Sequence, residues 1–141
     1  MATKRRSTKK RQLLAHKGTI SRWEVHVFSH GAWGRNYEER VGRAGINARG
    51  DFEGALNGIT SFDILLVRRP LKELQADDRV GWVLSVKTEI SGIVDLTEDE
   101  FDVALALATL GRPVHLHMAF DQPRYGSGAI RSFSISTDPM E

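Results

Sequence analysis

Only one stretch of this sequence, Thr97 to Gly111, has a helical period, and it stands among segments whose apolar and polar residues alternate with the period of a strand. A chain patterned this way has to fold its sheet around a single helix. Thr97 followed three residues later by Glu100 predicts a capping box, in which two backbone donors at the helix start find side-chain acceptors. Phe101, Leu105 and Ala108 recur at i, i+4 and i+7, and Val103, Leu107 and Leu110 widen that apolar stripe. Gly111 then suits a left-handed cap, and Pro113 prevents the helix from resuming. Glu98, Asp99, Glu100 and Asp102 crowd the first turns, where the helix dipole favours acids. Their charge would repel a phosphate, so this helix start is excluded as an anion site.

The strand patterns run through most of the rest. Ser21–Ser29 alternates, with Trp23, Val25 and Val27 on one face. The glycine-aromatic loop His30–Tyr37 follows, and then Val41–Leu56, where glycines at 42, 45, 50 and 54 blur the pattern. Asn57-Gly58 predicts a tight hairpin between Asp51–Leu56 and the strand Ile59–Val67. Pro70 ends that strand, and Leu71–Asp78 reads as a polar connection with room for one helical turn. Val80–Leu96 reads as one long strand bent at Ser91-Gly92, with Trp82, Leu84, Val86, Thr88 and Ile90 sharing a face. Val114–Phe120 alternates cleanly, and a turn over Asp121–Gly128 leads to a last strand, Ala129–Thr137. About six strands and one amphipathic helix imply an α+β domain. Its sheet is expected to be mainly antiparallel, curled or folded into a sandwich, with the helix packed on it. Strands do not alternate with helices, which argues against a parallel nucleotide-binding sheet.

With 141 residues the chain suits one domain. The absence of cysteine excludes disulfides, thiol catalysis and cysteine-held metal. No apolar run approaches the roughly 18 residues of a membrane span, and the basic N-terminus lacks the apolar core of a signal peptide. A cytoplasmic protein is expected. Charge is unevenly placed: Lys4, Arg5, Arg6, Lys9, Lys10, Arg11 and Lys17 face no acid within residues 1–17. Because the whole chain is +2, residues 18–141 carry −5, and the basic character belongs to the arm. The reading is therefore a basic arm, 1–17, attached to one α+β domain, 18–141, which is expected to fold without it.

Few residues carry candidate chemistry. His115-x-His117 puts two imidazoles on one strand face, and with His26 or His30 they resemble a three-histidine metal set, although no carboxylate lies at a fixed spacing. Asp77-Asp78, with Asp95, Glu98 and Asp99, are explained by turn and helix-start preferences rather than acid–base work. Ser132, Ser134 and Ser136 alternate along a strand with no nucleophile elbow around them. Arg35, Arg40, Arg43 and Arg49 interleave with acids. Trp33 and Tyr37 in one loop, and Arg124 and Tyr125 at the tip of another, are partner-binding candidates, since exposed tyrosine and arginine dominate binding hot spots. The function expected from these residues is a non-enzymatic binding module without a cofactor. Its arm would contact an anionic partner, a nucleic acid or nucleoprotein assembly. The alternative is a protein–protein module (an inhibitor, immunity or adaptor protein) acting through the acidic body. A small histidine-metal enzyme is the third reading.

Overall fold

The computed structural model describes residues 12–30, 41–74 and 77–139. Seven strands form a closed barrel: β1 (Leu13–His30), β2 (Val41–Leu56), β3 (Ile59–Arg68), β4 (Gly81–Val86), β5 (Ile90–Leu96), β6 (Val114–Asp121) and β7 (Gly128–Ser136). Around the wall they run β1-β2-β3-β5-β4-β7-β6, and β6 returns to β1. Every pairing is antiparallel except β3 with β5. Among the described residues two helices accompany them, a single turn α1 (Leu71–Leu74) and α2 (Glu98–Ala108).

This corrects the expected α+β sheet or sandwich. The sheet has no sandwich partner because it closes on itself, and the fold is all-β with short helices. Three local features account for the difference. First, β1 begins at Leu13, and Leu13–Ile20 pairs with Val114–Asp121, so residues 13–17 belong to the barrel seam. Second, the glycine-rich segment is one strand of 16 residues. A side chain at Gly50 would collide with the Thr19 carbonyl, so this glycine is what lets β2 pass close across β1. Third, the long strand expected over Val80–Leu96 is broken at residues 87–89 into the β4–β5 hairpin, and a register shift between Val83 and Ser85 turns β4 over. Val83 is fully buried as a result and Leu84 is 58% exposed, the reverse of the sequence pattern.

Inward residues from every strand fill the barrel: Ile46, Ile64, Leu66, Val83, Ile90, Val94, Leu116, Met118 and Ile130 are among those buried. Each large aliphatic side chain so buried contributes roughly 1.5–3 kcal/mol before chain entropy is counted. The two ends are stoppered differently. At one, α2 inserts Phe101 and Ala104 beneath the ends of β3 and β5. Its capping box forms as expected: the Glu100 amide donates to Thr97 Oγ1 at 3.2 Å and the Thr97 amide to Glu100 Oε1 at 2.9 Å. At the other end four rings meet. Phe52 and Phe62 lie 4.7 Å apart, and His16 lies 5.3 Å from Phe52 and 5.5 Å from Phe120, stacked on the latter. Gly18 leaves room for Phe52 and Phe62.

Beyond Ile20, β1 leaves β6 and continues as a ribbon paired with β2 alone. Val25 and Val27, expected to share one strand face, are 54% and 78% exposed there. On the same ribbon His26 Nε2 lies 2.9 Å from Asn47 Oδ1, Asn47 donates to Asp63, and Arg49 bridges Asp63 and Glu24.

Candidate functional site at the turn end

The ring-filled end of the barrel is where the tight turns lie. Asn57-Gly58 joins β2 to β3, with φ of 52° and 79°, as its sequence predicts. The turn that matters most joins β6 to β7. Arg124 and Ser127 exchange two backbone hydrogen bonds, at 2.8 and 3.1 Å, around a two-residue tip of Tyr125 and Gly126. Both tip residues have positive φ, 55° and 82°, which is the geometry of a type I′ hairpin turn.

Glycine adopts that conformation freely, whereas a tyrosine there costs about 1–2 kcal/mol. The tyrosine recovers none of this by packing, since its side chain is fully exposed at 108%. Bulky residues held in the left-handed region persist where the surroundings fix them, and they cluster at functional sites. The base of this hairpin is fixed. Asp121, the one buried polar or charged residue among the described residues, receives a two-pronged interaction from Arg131, Nε to Oδ1 at 3.2 Å and Nη2 to Oδ2 at 2.8 Å. Arg131 also reaches the Asp78 carbonyl and carboxylate, tying the hairpin to the segment before β4. Asp121, followed first by Asp78, holds the guanidinium more firmly protonated than usual. Tyr125 therefore projects from a braced support.

The arm joins the barrel at this same end. The Gln122 amide donates to the Gln12 carbonyl at 2.7 Å, so the described chain begins beside the hairpin that carries Arg124 and Tyr125. The neighbouring strand β4 carries the exposed Leu84 and leads into Lys87 of the β4–β5 turn, and Gly126 approaches the Val86 amide. Two sets of residues that the sequence offered separately, the basic arm and the Arg124-Tyr125 tip, are thus attached to one end of the fold.

The remaining candidates fall elsewhere. Lys4, Arg5, Arg6, Lys9, Lys10 and Arg11 lie outside the described residues, as do Trp33, Tyr37, Arg35 and Arg40. Lys17 is on β1 opposite His117, and Arg49 is consumed in its ion pairs. His115 and His117 sit half-buried on the outer face of β6. His26 is on the ribbon, seven residues beyond Thr19, the partner of His115, roughly 20 Å away by strand rise. The three histidines do not converge, and among the described residues no group of histidines and carboxylates could hold a metal. Four of the five candidate carboxylates are occupied too: Asp77 pairs with Arg79, Asp78 with Arg131, Asp95 with Arg69 and Glu98 with Arg68, which leaves Asp99. Among the described residues no helix is long and apolar enough to cross a membrane. No protein-family model matches the chain, and neither the curated proteins nor the solved structures contain a match.

Proposed function

We propose that this chain is a non-enzymatic module that binds nucleic acid in the cytoplasm, gripping the backbone with its basic arm and an unpaired base with Tyr125. The observation that carries this reading is the position of Gln12, the first described residue, on the hairpin that holds a fully exposed tyrosine in the left-handed region. Lys4, Arg5, Arg6, Lys9, Lys10 and Arg11 supply six charges without an intervening acid, enough to neutralise a short run of phosphates. The folded body carries net negative charge and contributes little long-range attraction, so the arm supplies the affinity. A ring standing free on a rigid turn offers both faces to a base, and such stacking tolerates any sequence. The fit is to a strand with unpaired bases rather than to a closed duplex.

Fluorescence anisotropy with labelled oligo-dT and a duplex of equal charge tests this. Binding to the single strand should weaken with salt at a slope of about −4, from roughly −0.7 per neutralised phosphate. Tyr125→Ala should weaken it by about 1–3 kcal/mol, the usual loss for one stacked base, while leaving duplex binding unchanged. Glutamate at all six basic positions should abolish both. Salt-insensitive binding, or an unaltered single-strand affinity in Tyr125→Ala, would overturn the reading.

A further inference from the structure

The helix-stoppered end has a feature that the nucleic-acid reading does not use. β7 pairs with β6 along its length but with β4 only through Gly128–Ile130. The Val80 amide donates to the Ile130 carbonyl, and among the described residues the segment before it meets β7 only through the Arg131 side chain, which holds Asp78. From Ser132 to Ser136 one edge of β7 is without a strand partner among the described residues, so alternate amides and carbonyls face outward. α2 stands across from that edge, leaning on β3 and β5 rather than on β7. The space between them is a groove of about 330 Å³ with an apolar floor of Leu96, Val103, Ala104, Phe133 and Ile135. A second cleft of about 220 Å³ continues it towards Leu71 and Val80, sharing Leu96 and Phe133.

We infer that this groove receives an extended basic segment of a partner protein, which adds as a strand to the free edge of β7. An open strand edge supplies main-chain hydrogen bonds to an extended peptide, and an adjoining pocket selects its alternate side chains. Five residues of free edge accommodate a segment whose side chains at i and i+2 enter the groove. Its charge is set by the rim. α2 holds four acids and no base. Glu98 is neutralised by Arg68, and Glu100 caps its own helix. Asp99, beside the groove, and Asp102 take part in no ion pair found among the described residues. Apolar residues flanked by lysine or arginine match an apolar floor with such a rim. The chain's own arm does not: residues 1–11 contain only Met1 and Ala2 as apolar side chains, and they join the barrel at the opposite end.

The test uses the full-length protein and a labelled peptide, Lys-Val-Arg-Val-Lys-Val-Arg. Two comparison peptides accompany it, one with every basic residue replaced by glutamate and one N-methylated at alternate amides. The basic peptide should bind and shift the backbone NMR signals of residues 132–136. Val103→Arg, at an exposed position with good helix propensity, should weaken it on the order of tenfold or more with the melting temperature unchanged. The glutamate and N-methylated peptides should not bind. Failure of the basic peptide to bind, equal binding of either comparison peptide, or unshifted signals over 132–136 would overturn the inference. Self-association abolished by Val103→Arg would also overturn it and assign the groove to a second copy. Tyr125 and residues 1–11 are untouched in these measurements, so the result is independent of nucleic-acid binding.

Discussion

The two ends of this barrel are stoppered by different chemistry. At the helix end, α2 covers the opening with Phe101 and Ala104, and two of its acids, Asp99 and Glu100, line an apolar groove. At the turn end, His16, Phe52, Phe62 and Phe120 fill the opening from inside, and the hairpin above them carries Tyr125 and meets Gln12. A stopper made of strand side chains leaves the turns above it with no packing duty. That freedom allows a tyrosine to be held outward at a conformational cost. A stopper made of a separate helix leaves a seam wherever the helix and the nearest strand do not meet. The lesson is that closure alone leaves each end a different kind of exposed surface.

The largest effect that would test this contrast is truncation. Removing residues 1–11 should leave the melting temperature nearly unchanged, whereas starting the chain at Gly18 deletes Leu13–Lys17, five of the eight residue pairs of the β1–β6 seam. The shorter protein should fail to give a cooperative thermal transition. If it melts like the full chain, the seam does not hold the barrel closed. Next in size, Phe101→Ala should destabilise by about 3–5 kcal/mol in urea titrations, as loss of a buried ring does. Thr97→Ala, which removes only the cap, should cost about 1 kcal/mol. Similar losses at both would mean that α2 is not a stopper.

The smallest expected effect depends on pH. Burial between Phe52 and Phe120 pushes His16 below the ordinary imidazole value, partly opposed by a hydrogen bond with the Gly54 backbone. The unfolded chain therefore takes up this proton first. Its contribution to stability is complete above about pH 6.5 and declines as the pH falls below that value. His16→Phe keeps a ring in place without the titration. Its melting temperature should drop less than the wild type's between pH 7.5 and 5, and an equal drop would place the acid sensitivity elsewhere.

Local signals in the sequence translated well. The capping box at Thr97, the positive φ of Gly111 and the Asn57-Gly58 turn each depend on neighbouring residues, and each is found. The alternation of β6 likewise placed Val114, Leu116, Met118 and Phe120 inward and His115 and His117 outward. Barrel closure was not legible, because it depends on a pairing between residues about a hundred positions apart, Leu13 with Asp121. The start of β1 was masked by the basic residues that precede it. Lys87-Thr88-Glu89 contains no turn residue, so the alternation read straight through a hairpin. The bulge beside Leu84 parted it from Val86, which alternation alone put on the same face. At the candidate site, residue types pointed to Arg124 and Tyr125, but the left-handed φ of Tyr125 and the contact of Gln12 with Gln122 emerged only from the fold.

On the proposed function, Tyr125 serves binding at the expense of stability. Tyr125→Asn tests it directly, because Asn-Gly is the preferred sequence for this turn. Thermal and urea unfolding should show a gain of about 1 kcal/mol, the strain that asparagine avoids. Anisotropy on the same protein should show oligo-dT affinity reduced to that of Tyr125→Ala. A variant that is more stable and still binds the single strand as tightly as the wild type would contradict the account.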